Sequence, residues 1–514
     1  MKVLSFFFAF FLVFIVGCNP ISERKQPPLS LEQLASSDLN LNGERLAEAY
    51  CGSCHLKPEP EILDRITWET KVLPDMRKRM GLYLEEDFGT ELPEDSGVPP
   101  GIYSKVQLIK REDWAKIQEY YLGSAPEKPL PQVEKVTPKV GIPGFKEDQP
   151  AFSKIFPSLT TMVRIHPETG DLWVGNRFRS LFILDSKNGF KLKDSIPTDV
   201  APVEILWNKD QSFELLTMGL MDPSKDTLGA LSGFSSQNKS WSKEILLDKL
   251  IRPVHVETAD WNADGVLDRV VSHFGDHFGK LSLYLSENGQ EKEIILKPVP
   301  GARRTIGVDF DEDGDLDILS QIAQAQEGVY VWINQGEGKF VEKSLLRFQP
   351  SFGSSDFRFE DVNGDGHRDI ILVNGNNADL SQILKNYHGV RIFLNDGDGE
   401  FEQEWFYPLF GASGLEVDDF DLDGDLDLFV LSFFPDPKQA PRQDLIYFRQ
   451  SGNGDFEPFV LKKNIESHWL TMTKGDSDRD GDIDLVVGTF EFNDLYGKPS
   501  KPWKPFIILW NELK

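Results

Sequence analysis

Apolar residues along the chain of 514 residues follow three patterns in turn. A continuous apolar run, Val3 to Val16, follows a single lysine near the N-terminus. Between residues 41 and 125 the apolar positions recur at the spacing of helix turns. From residue 150 onward they form short runs separated by Gly, Asn and Asp, as in β-strands joined by tight turns. The pattern predicts a leader segment, a small all-α domain and a long all-β region.

The leader is typical of an exported protein. An apolar run of about fourteen residues is too short for a membrane-spanning helix and fits the core of a signal peptide. It ends in Ile15-Val16-Gly17-Cys18, which resembles the lipobox of bacterial lipoproteins. That resemblance implies a signal peptide over residues 1–17, a lipidated Cys18, and a bacterial cell-envelope location, periplasmic or at the cell surface, held by the lipid anchor. The alternative is an ordinary secretory signal with Cys18 merely nearby.

Two proline-containing segments frame the helical region. Residues 18–40 predict a tether, and residues 126–149 predict a semi-rigid linker. Between them lies a predicted domain over residues 41–125, with one helix beginning near Asn42 and another over about residues 111–122. The core-facing positions are Leu46, Ala49 and Tyr50 in the first helix, and Trp114, Ile117 and Tyr121 in the second.

The pentapeptide Cys51-Gly52-Ser53-Cys54-His55 carries the clearest chemistry of the chain. In a CxxCH pattern each thiol adds to one haem vinyl group, and the imidazole that follows ligates the iron. A zinc site would need two further ligands, and the sequence has no second CxxC or CxxH cluster. The pattern therefore predicts one covalent haem c, held by Cys51 and Cys54 with His55 as an axial iron ligand.

The second axial ligand is predicted to be a methionine thioether, the common distal ligand of electron-transfer cytochromes. Met76 and Met80 are both in range. Met76, within Leu-Pro-Asp-Met, looks like the ligand of related small cytochromes, and the region 41–125 resembles the monohaem cytochrome c fold. We favour Met76. Met80 remains an alternative, as does an iron without a methionine ligand, with both methionines in the core.

A nine-residue acidic pattern, D-x-[DN]-x-D-G-x-x-D, recurs five times in the β-rich region. Carboxylates at alternating positions converge when such a loop curls, and the glycine permits the sharp turn. Oxygen ligands in this number suit Ca²⁺, so up to five calcium ions are expected. The predicted ligands are Asp260, Asn262, Asp264 and Asp268; Asp309, Asp311, Asp313 and Asp317; Asp361, Asn363, Asp365 and Asp369; Asp419, Asp421, Asp423 and Asp427; and Asp476, Asp478, Asp480 and Asp484.

These loops are not EF-hands. An EF-hand needs a glutamate at position twelve and flanking helices, whereas β-type residues follow every copy. Successive copies begin 49, 52, 58 and 57 residues apart, which is typical of a repeat array, and Gly-rich hairpins recur within the units. Position twelve is Val271, Ser320, Leu372, Val430 and Val487 in the five copies.

The repeated loops and hairpins resemble the FG-GAP/VCBS repeats of integrin α-subunit propellers. The resemblance implies four strands per blade and Ca²⁺ in the acidic loops, which we interpret as structural. Residues 150–514 have room for seven blades, so the predicted fold is a small all-α cytochrome c domain followed by an all-β, seven-bladed β-propeller. The first two units have lost the ligand set, and no metal is expected there. A strand over residues 151–155 is expected to complete the last blade and close the ring.

Charge narrows the choice of partners. The chain has 83 acidic and 55 basic residues, a net charge of −28, which argues against nucleic acid and fits metal binding or a basic protein partner. The leading hypothesis is an envelope-anchored c-type cytochrome that transfers one electron at a time to a redox partner protein. Its calcium-binding propeller would recognise that partner or an envelope or extracellular polymer.

Two alternatives remain open. The propeller could be an oxidoreductase, a dehydrogenase that passes substrate electrons to its own haem, or the chain could be an adhesion lipoprotein. Whether the protein is an enzyme is undecided, because the sequence contains no GxSxG, HExxH or phosphate-binding glycine motif.

Overall fold

The computed structural model describes residues 30–36, 40–85, 87, 102–150, 152–210, 212–224, 226–237, 240–376, 383–452, 454–463, 465, 467–497, 499 and 501–513. The predicted signal peptide (residues 1–17) and Cys18 lie outside the described residues. Within the described ranges, no helix combines the length and the apolar composition needed to cross a membrane.

The N-terminal part is helical, and its two longest helices lie where the sequence predicts them. The helices are α1 (Leu31–Ser36), α2 (Gly43–Cys51), α3 (Arg65–Thr67), α4 (Leu73–Arg79) and α5 (Arg111–Ser124); a π turn (Trp68–Val72) joins α3 to α4, and a short 3₁₀ turn covers Pro60–Ile62. Asn42 caps α2, because its side-chain oxygen accepts a hydrogen bond from the Arg45 amide at 3.0 Å. We call residues 40–125 the helical unit.

The helical unit has its own apolar core, formed mainly where α2 crosses α5. Leu46 and Tyr50 of α2 and Ile117 and Tyr121 of α5 are fully buried. The Trp68 ring lies 4.4 Å from the Tyr121 ring, centroid to centroid, which joins the π turn to the same core. The helical spacing of these residues thus produces the packing expected from the sequence.

Seven antiparallel four-stranded units follow, so the predicted seven-bladed β-propeller is confirmed. Three strands precede the first complete blade: β1 (Lys139–Val140), β2 (Phe145–Asp148) and β3 (Phe152–Ile155). Blades 1–3 are β4 (Thr160–Ile165), β5 (Leu172–Asn176), β6 (Ser180–Asp185) and β7 (Lys191–Pro197); β8 (Pro202–Trp207), β9 (Phe213–Thr217), β10 (Gly229–Gln237) and β11 (Ser240–Leu250); and β12 (Pro253–Ala259), β13 (Asp268–His273), β14 (Lys280–Glu287) and β15 (Gln290–Lys297).

Blades 4–7 repeat the same order of strands. They are β16 (Ala302–Val308), β17 (Asp317–Ile322), β18 (Gly328–Asn334) and β19 (Phe340–Arg347); β20 (Ser354–Glu360), β21 (Asp369–Asn374), β22 (Gly389–Asn395) and β23 (Phe401–Pro408); β24 (Ala412–Asp418), β25 (Asp427–Ser432), β26 (Leu445–Gln450) and β27 (Phe456–Val460); and β28 (Trp469–Gly475), β29 (Asp484–Thr489) and β31 (Phe506–Asn511) with β2. The short pair β30 (Pro502–Trp503) and β3 lies beside blade 7, after helix α6 (Asn493–Tyr496).

A strand from before blade 1 closes the ring by completing blade 7, but it is not the strand that the sequence suggests. β2 pairs antiparallel with β31, with Phe145 opposite Asn511, whereas the expected segment 151–155 supplies β3, which pairs with β30. The reason lies in packing. Phe145 inserts into the aromatic core between blades 6 and 7, 5.3 Å from Phe429 and 5.9 Å from Tyr447 by ring centroids.

Part of the predicted linker also belongs to the propeller. β1 adds a parallel fifth strand to blade 6, with Val140 opposite Val460. Upstream, Lys135 donates to the Pro408 carbonyl at 2.6 Å and to Gln443 Oε1 at 2.8 Å. The segment is therefore fastened along blades 5 to 7 by backbone and side-chain contacts that its proline content does not predict.

The propeller has two chemically different faces. Because the strands of a blade are antiparallel, the connections from strand 1 to strand 2 all emerge on one face, and those from strand 2 to strand 3 emerge on the other. The acidic loops are all connections from strand 1 to strand 2, and we call their side the acidic face. The opposite side, which also carries the links between consecutive blades, is called the helix-side face because the helical unit contacts it.

Candidate functional site

The CxxCH pentapeptide lies where α2 ends. Cys51 is the last residue of α2, and the chain then turns, with Ser53 Oγ donating to the Tyr50 carbonyl at 2.7 Å. Cys51 is half-buried against the core of the helical unit, whereas Cys54 is exposed, and both are free thiols. One thiol therefore points towards packed residues and the other remains accessible.

This position does not suit a reactive dithiol. Burial raises the pKa of Cys51 to about 11, so the thiolate is disfavoured. A helix C-terminus adds a negative partial charge, whereas redox-active cysteines lie near helix N-termini or cations that stabilise the thiolate. The arrangement suits thiols that are consumed in a permanent covalent bond rather than thiols that cycle.

The hydrogen bonding of His55 leaves one ring nitrogen, Nε2, able to bind a metal. Its Nδ1 lies 2.8 Å from the Leu56 carbonyl oxygen, and because a carbonyl only accepts, Nδ1 carries the proton. The Nε2 lone pair is then available to an iron. A hydrogen bond from the other ring nitrogen, as Nδ1 makes here to Leu56, is the usual way to fix the orientation of a ligating imidazole. Burial lowers the pKa of His55 despite the opposing hydrogen bond to Leu56, and the Arg79 charge adds to the lowering, so the neutral ligating form is favoured.

The two methionine candidates lie on the α4 side of the same core. Met76 is within α4 and Met80 directly follows its last residue, and both pack half-buried against the core cluster that also includes Cys51. The Met80 amide bonds to the Met76 carbonyl at 3.1 Å. The structure thus brings both thioethers to the CxxCH region without distinguishing between them, and Met76 stays a prediction.

The acidic loops fold back on themselves as the spacing predicts. The first aspartate of each loop accepts a hydrogen bond from the amide of the glycine five residues later, at 2.8–3.2 Å. Those glycines have φ between 86° and 102°, in the left-handed region that favours glycine. They are Gly265, Gly314, Gly366, Gly424 and Gly481.

Three loops bring three carboxylates together, with one oxygen of each residue within 4.8 Å of the others. In the remaining two loops an asparagine occupies the third position, and its Nδ2 donates to the fifth-position aspartate, at 3.0 Å in one loop and 2.9 Å in the other. The three carboxylate clusters are Asp309, Asp311 and Asp317; Asp419, Asp421 and Asp427; and Asp476, Asp478 and Asp484.

The ninth-position aspartates tie each loop to its blade. All five are fully buried, and one oxygen of each accepts from a backbone amide at the end of strand 3, at 2.7–3.0 Å. Burial raises the pKa of Asp427 and of Asp484 to about 7, and neighbouring loop carboxylates add to the effect. These are Asp268, Asp317, Asp369, Asp427 and Asp484, with Ser286, Asn334, Asn395, Gln450 and Asn511 as amide donors.

In blades 1 and 2, a lysine or an arginine of the protein forms an ion pair with the carboxylate at the position of the acidic loop. In blade 1, Lys193 Nζ lies 2.8 Å from the Asp171 carboxylate. In blade 2, Arg269 holds Glu214 through two hydrogen bonds, of 3.0 and 2.6 Å. Among the described residues, no lysine or arginine forms an ion pair with the predicted ligands of the other five loops. The sequence pattern shows that blades 1 and 2 have lost the ligand set. It does not show that Lys193 and Arg269 take the place of a metal there.

The CxxCH segment also faces the propeller, which the sequence does not indicate. Gln326 Nε2 lies 3.5 Å from the Cys54 carbonyl, and Gln349 Oε1 accepts from the Glu59 amide at 2.8 Å. Ile383 of blade 5 packs against the core of the helical unit. All three come from connections on the helix-side face, so this face and the CxxCH segment form one continuous contact region.

Comparisons with known proteins support the propeller. Residues 309–372 match the model of the FG-GAP-like repeat. A chain in a structure of S. cerevisiae Dbp5 bound to Nup159, Gle1, IP6 and ADP shares 9% identity at a TM-score of 0.45, covering 74% of this chain and 98% of that chain. The β-propeller domain of Myceliophthora thermophila Cps50 (Swd1) shares 10% identity at a TM-score of 0.42, and the match covers 71% of this chain and 99% of that chain.

No curated protein matches the sequence significantly. The two structural likenesses are too distant to bear on function, and the fold assignment depends on the seven sheets themselves. The chain therefore carries an FG-GAP-like repeat within a seven-bladed β-propeller, an architecture that suggests binding or recognition.

Proposed function

We propose that this protein is a c-type cytochrome of the bacterial cell envelope, lipid-anchored through Cys18, whose propeller recognises a redox partner or an envelope polymer. The observation that carries the proposal is the CxxCH segment, in which His55 keeps Nε2 available because Nδ1 donates to the Leu56 carbonyl at 2.8 Å. The two thiols precede it at the end of a helix that packs into an apolar core.

Each residue of this site has a stated role. Cys51 and Cys54 would hold the haem covalently, His55 would ligate iron, and Met76 would be the distal ligand. When bound, a haem supplies one-electron oxidation and reduction. The chain's own contribution is to orient the imidazole through Leu56 and to exclude water with the buried aromatic core around Trp68 and Tyr121.

We propose calcium in the five acidic loops for a reason of charge. Blades 1 and 2 neutralise their carboxylates with Lys193 and Arg269, whereas the carboxylates of the other five loops have no such partner among the described residues. Three of these loops bring three carboxylates together. A divalent cation bound by hard oxygens would remove this repulsion. Its role would be to stiffen the blades.

Absorption spectra and intact mass together test the haem. Protein made in a host that matures c-type cytochromes should gain the mass of one haem and show a sharp α-band in the reduced-minus-oxidised spectrum. Material from a competent host with neither feature would refute the cytochrome assignment, whatever the propeller binds.

The two methionine candidates can be separated by substitution. Met76→Ala should abolish the low-spin methionine-ligated spectrum and lower the reduction potential, because a thioether ligand favours ferrous iron. Met80→Ala serves as the matched control and should leave the spectrum unchanged. Visible spectra of both variants in both oxidation states make the measurement; the reverse result would move the ligand to Met80, and two unchanged spectra would exclude both.

A further inference from the structure

Arg79, the last residue of α4, is held by a hydrogen-bonded cluster that joins the helical unit to the propeller. Its Nε donates to Asp75 Oδ2 at 2.8 Å, one helical turn earlier. Tyr103 Oη donates to the other oxygen of Asp75 at 2.6 Å, and the guanidinium lies over the Tyr103 ring, 5.3 Å from its centroid. Asp75 and Tyr103 therefore fix the direction of the Arg79 side chain.

The fourth member comes from the propeller. His277, in the connection between β13 and β14, places Nδ1 at 3.5 Å from Arg79 Nη2 and its ring 6.4 Å from the Tyr103 ring in an edge contact. Because a guanidinium only donates, His277 Nδ1 accepts, so the proton lies on Nε2, which is 3.9 Å from Asp276. Asp276 also acts on Arg79 through its charge. We call Asp75, Arg79, Tyr103 and His277 the α4 clasp.

The clasp lies beside the CxxCH motif. Cys51 of the motif packs against the same apolar core as Met76 and Met80. Met76 and Met80 flank Arg79 at the end of the same helix. A positive charge near an iron centre favours the reduced form, since ferrous iron carries less positive charge.

We propose that the propeller loop Asp276–His277 positions Arg79, and with it α4, against the CxxCH motif, so that the propeller sets the electrostatic environment of the iron that His55 would ligate. This inference rests on the proposed function. His277 is here a positioning residue, because it acts through Arg79 and does not touch the predicted ligands. The propeller is then part of the electron-transfer unit rather than only a recognition module.

The helical unit does not depend on His277 for its place on the propeller. Gln326 and Gln349, from the connections around blade 4, contact Cys54 and Glu59, and Ile383 of blade 5 packs into the helical core. Substituting His277 should therefore loosen the clasp while the two parts of the protein stay together. This separation makes His277 a usable test position.

Reduction potentials of the full-length haem-loaded protein provide the test. Arg79→Gln should shift the potential to lower values, and His277→Ala should produce part of that shift. In the Arg79→Gln background, His277→Ala should add nothing, because it acts through Arg79. Phe278→Ala is the matched control, since Phe278 is the next residue of the same loop and is exposed. It should match the parent protein.

Two results would overturn the inference. The first is that His277→Ala has the same reduction potential as the parent protein while the potential of Arg79→Gln is shifted. The second is an equal His277→Ala shift in both backgrounds, which would mean that His277 acts independently of Arg79.

Hydrogen exchange gives a readout that needs no haem. In protein produced without haem maturation, amides of residues 73–80 should exchange about fivefold faster in His277→Ala than in Phe278→Ala, the factor expected for one lost hydrogen bond. Equal exchange in the two variants would contradict the clasp. A protein that never acquires haem would instead refute the proposed function while leaving this measurement valid.

Discussion

Replacing both Cys51 and Cys54 by alanine is expected to abolish covalent haem, so that the intact mass falls by one haem and the α-band disappears. The two thiols are the only cysteines of the described residues, and they lie at the end of α2, where burial of Cys51 disfavours its thiolate. Each single replacement should leave one thioether. Intact-mass spectrometry under denaturing conditions measures this, because only covalently attached haem survives.

The third cysteine supplies the control. Cys18→Ala should keep the haem mass and spectrum but lose the lipid, so the protein should move from the membrane fraction to the soluble fraction. A double variant of Cys51 and Cys54 that retains covalent haem would rule out these thiols as the attachment site. A Cys18→Ala protein that still fractionates with membranes would contradict the lipid anchor.

Removal of calcium is expected to lower the melting temperature of the propeller in a manner that depends on free calcium. Each occupied site contributes about 2.7 kcal/mol when the free ion is 100-fold above its dissociation constant. For domains of 150–250 residues, each kcal/mol corresponds to roughly 2–4 °C. Calorimetry across a series of calcium-buffered solutions makes the measurement, and a melting temperature indifferent to chelation would contradict bound calcium.

The effect of Asp311→Asn on the melting temperature should depend on whether calcium is present, which makes this variant a sharper test than chelation alone. Asp311 lies with Asp309 and Asp317 in the loop of blade 4. Burial is the main cause of the raised pKa of Asp317, and the neighbouring carboxylates add to it, whereas two backbone hydrogen bonds oppose it. With calcium present, the variant loses a charged ligand and should melt lower than the parent. Without calcium, it loses a repulsive charge and should melt at the same temperature or higher.

Asp315→Asn is the matched control for this loop. It makes the same chemical change two residues before Asp317, at a position outside the predicted ligand set, and the Asp315 contact in the loop is through its backbone amide to Asp313. The effect of Asp315→Asn on the melting temperature should therefore be the same with and without calcium. If Asp311→Asn destabilises the protein equally with and without calcium, the residue has a structural role that involves no metal.

Local chemistry explains what could be predicted from the sequence. The ends of α2 and α5, the positive φ of Gly265 and its four counterparts, and the four-stranded units all depend on residues close together in the chain. Repetition strengthened the prediction, because the acidic loop recurs five times and fixes the position of strand 2 in each of the five blades that carry it. The number of blades followed from the spacing alone.

The features that escaped prediction depend on contacts between distant residues. The pairing of Phe145 with Asn511 requires an aromatic residue to enter a core built by blades 6 and 7. The cations Lys193 and Arg269 reach their carboxylates from another strand and another blade. Likewise, nothing in the CxxCH pattern indicates that Gln326 and Gln349 of the propeller lie against it. Local periodicity carries no information on such pairs.

The closure of the ring by β2 and β31 has a consequence for biosynthesis. β2 leaves the ribosome well before its partner β31, because the strands of blades 1–6 lie between them in the chain, so blade 7 cannot assemble until β31 has been made. Domains generally fold in the order in which they emerge, and pairings between distant segments form slowly. The helical unit is therefore ready before the propeller, and a chain that ends prematurely would carry a finished N-terminal part beside an open, aggregation-prone sheet edge.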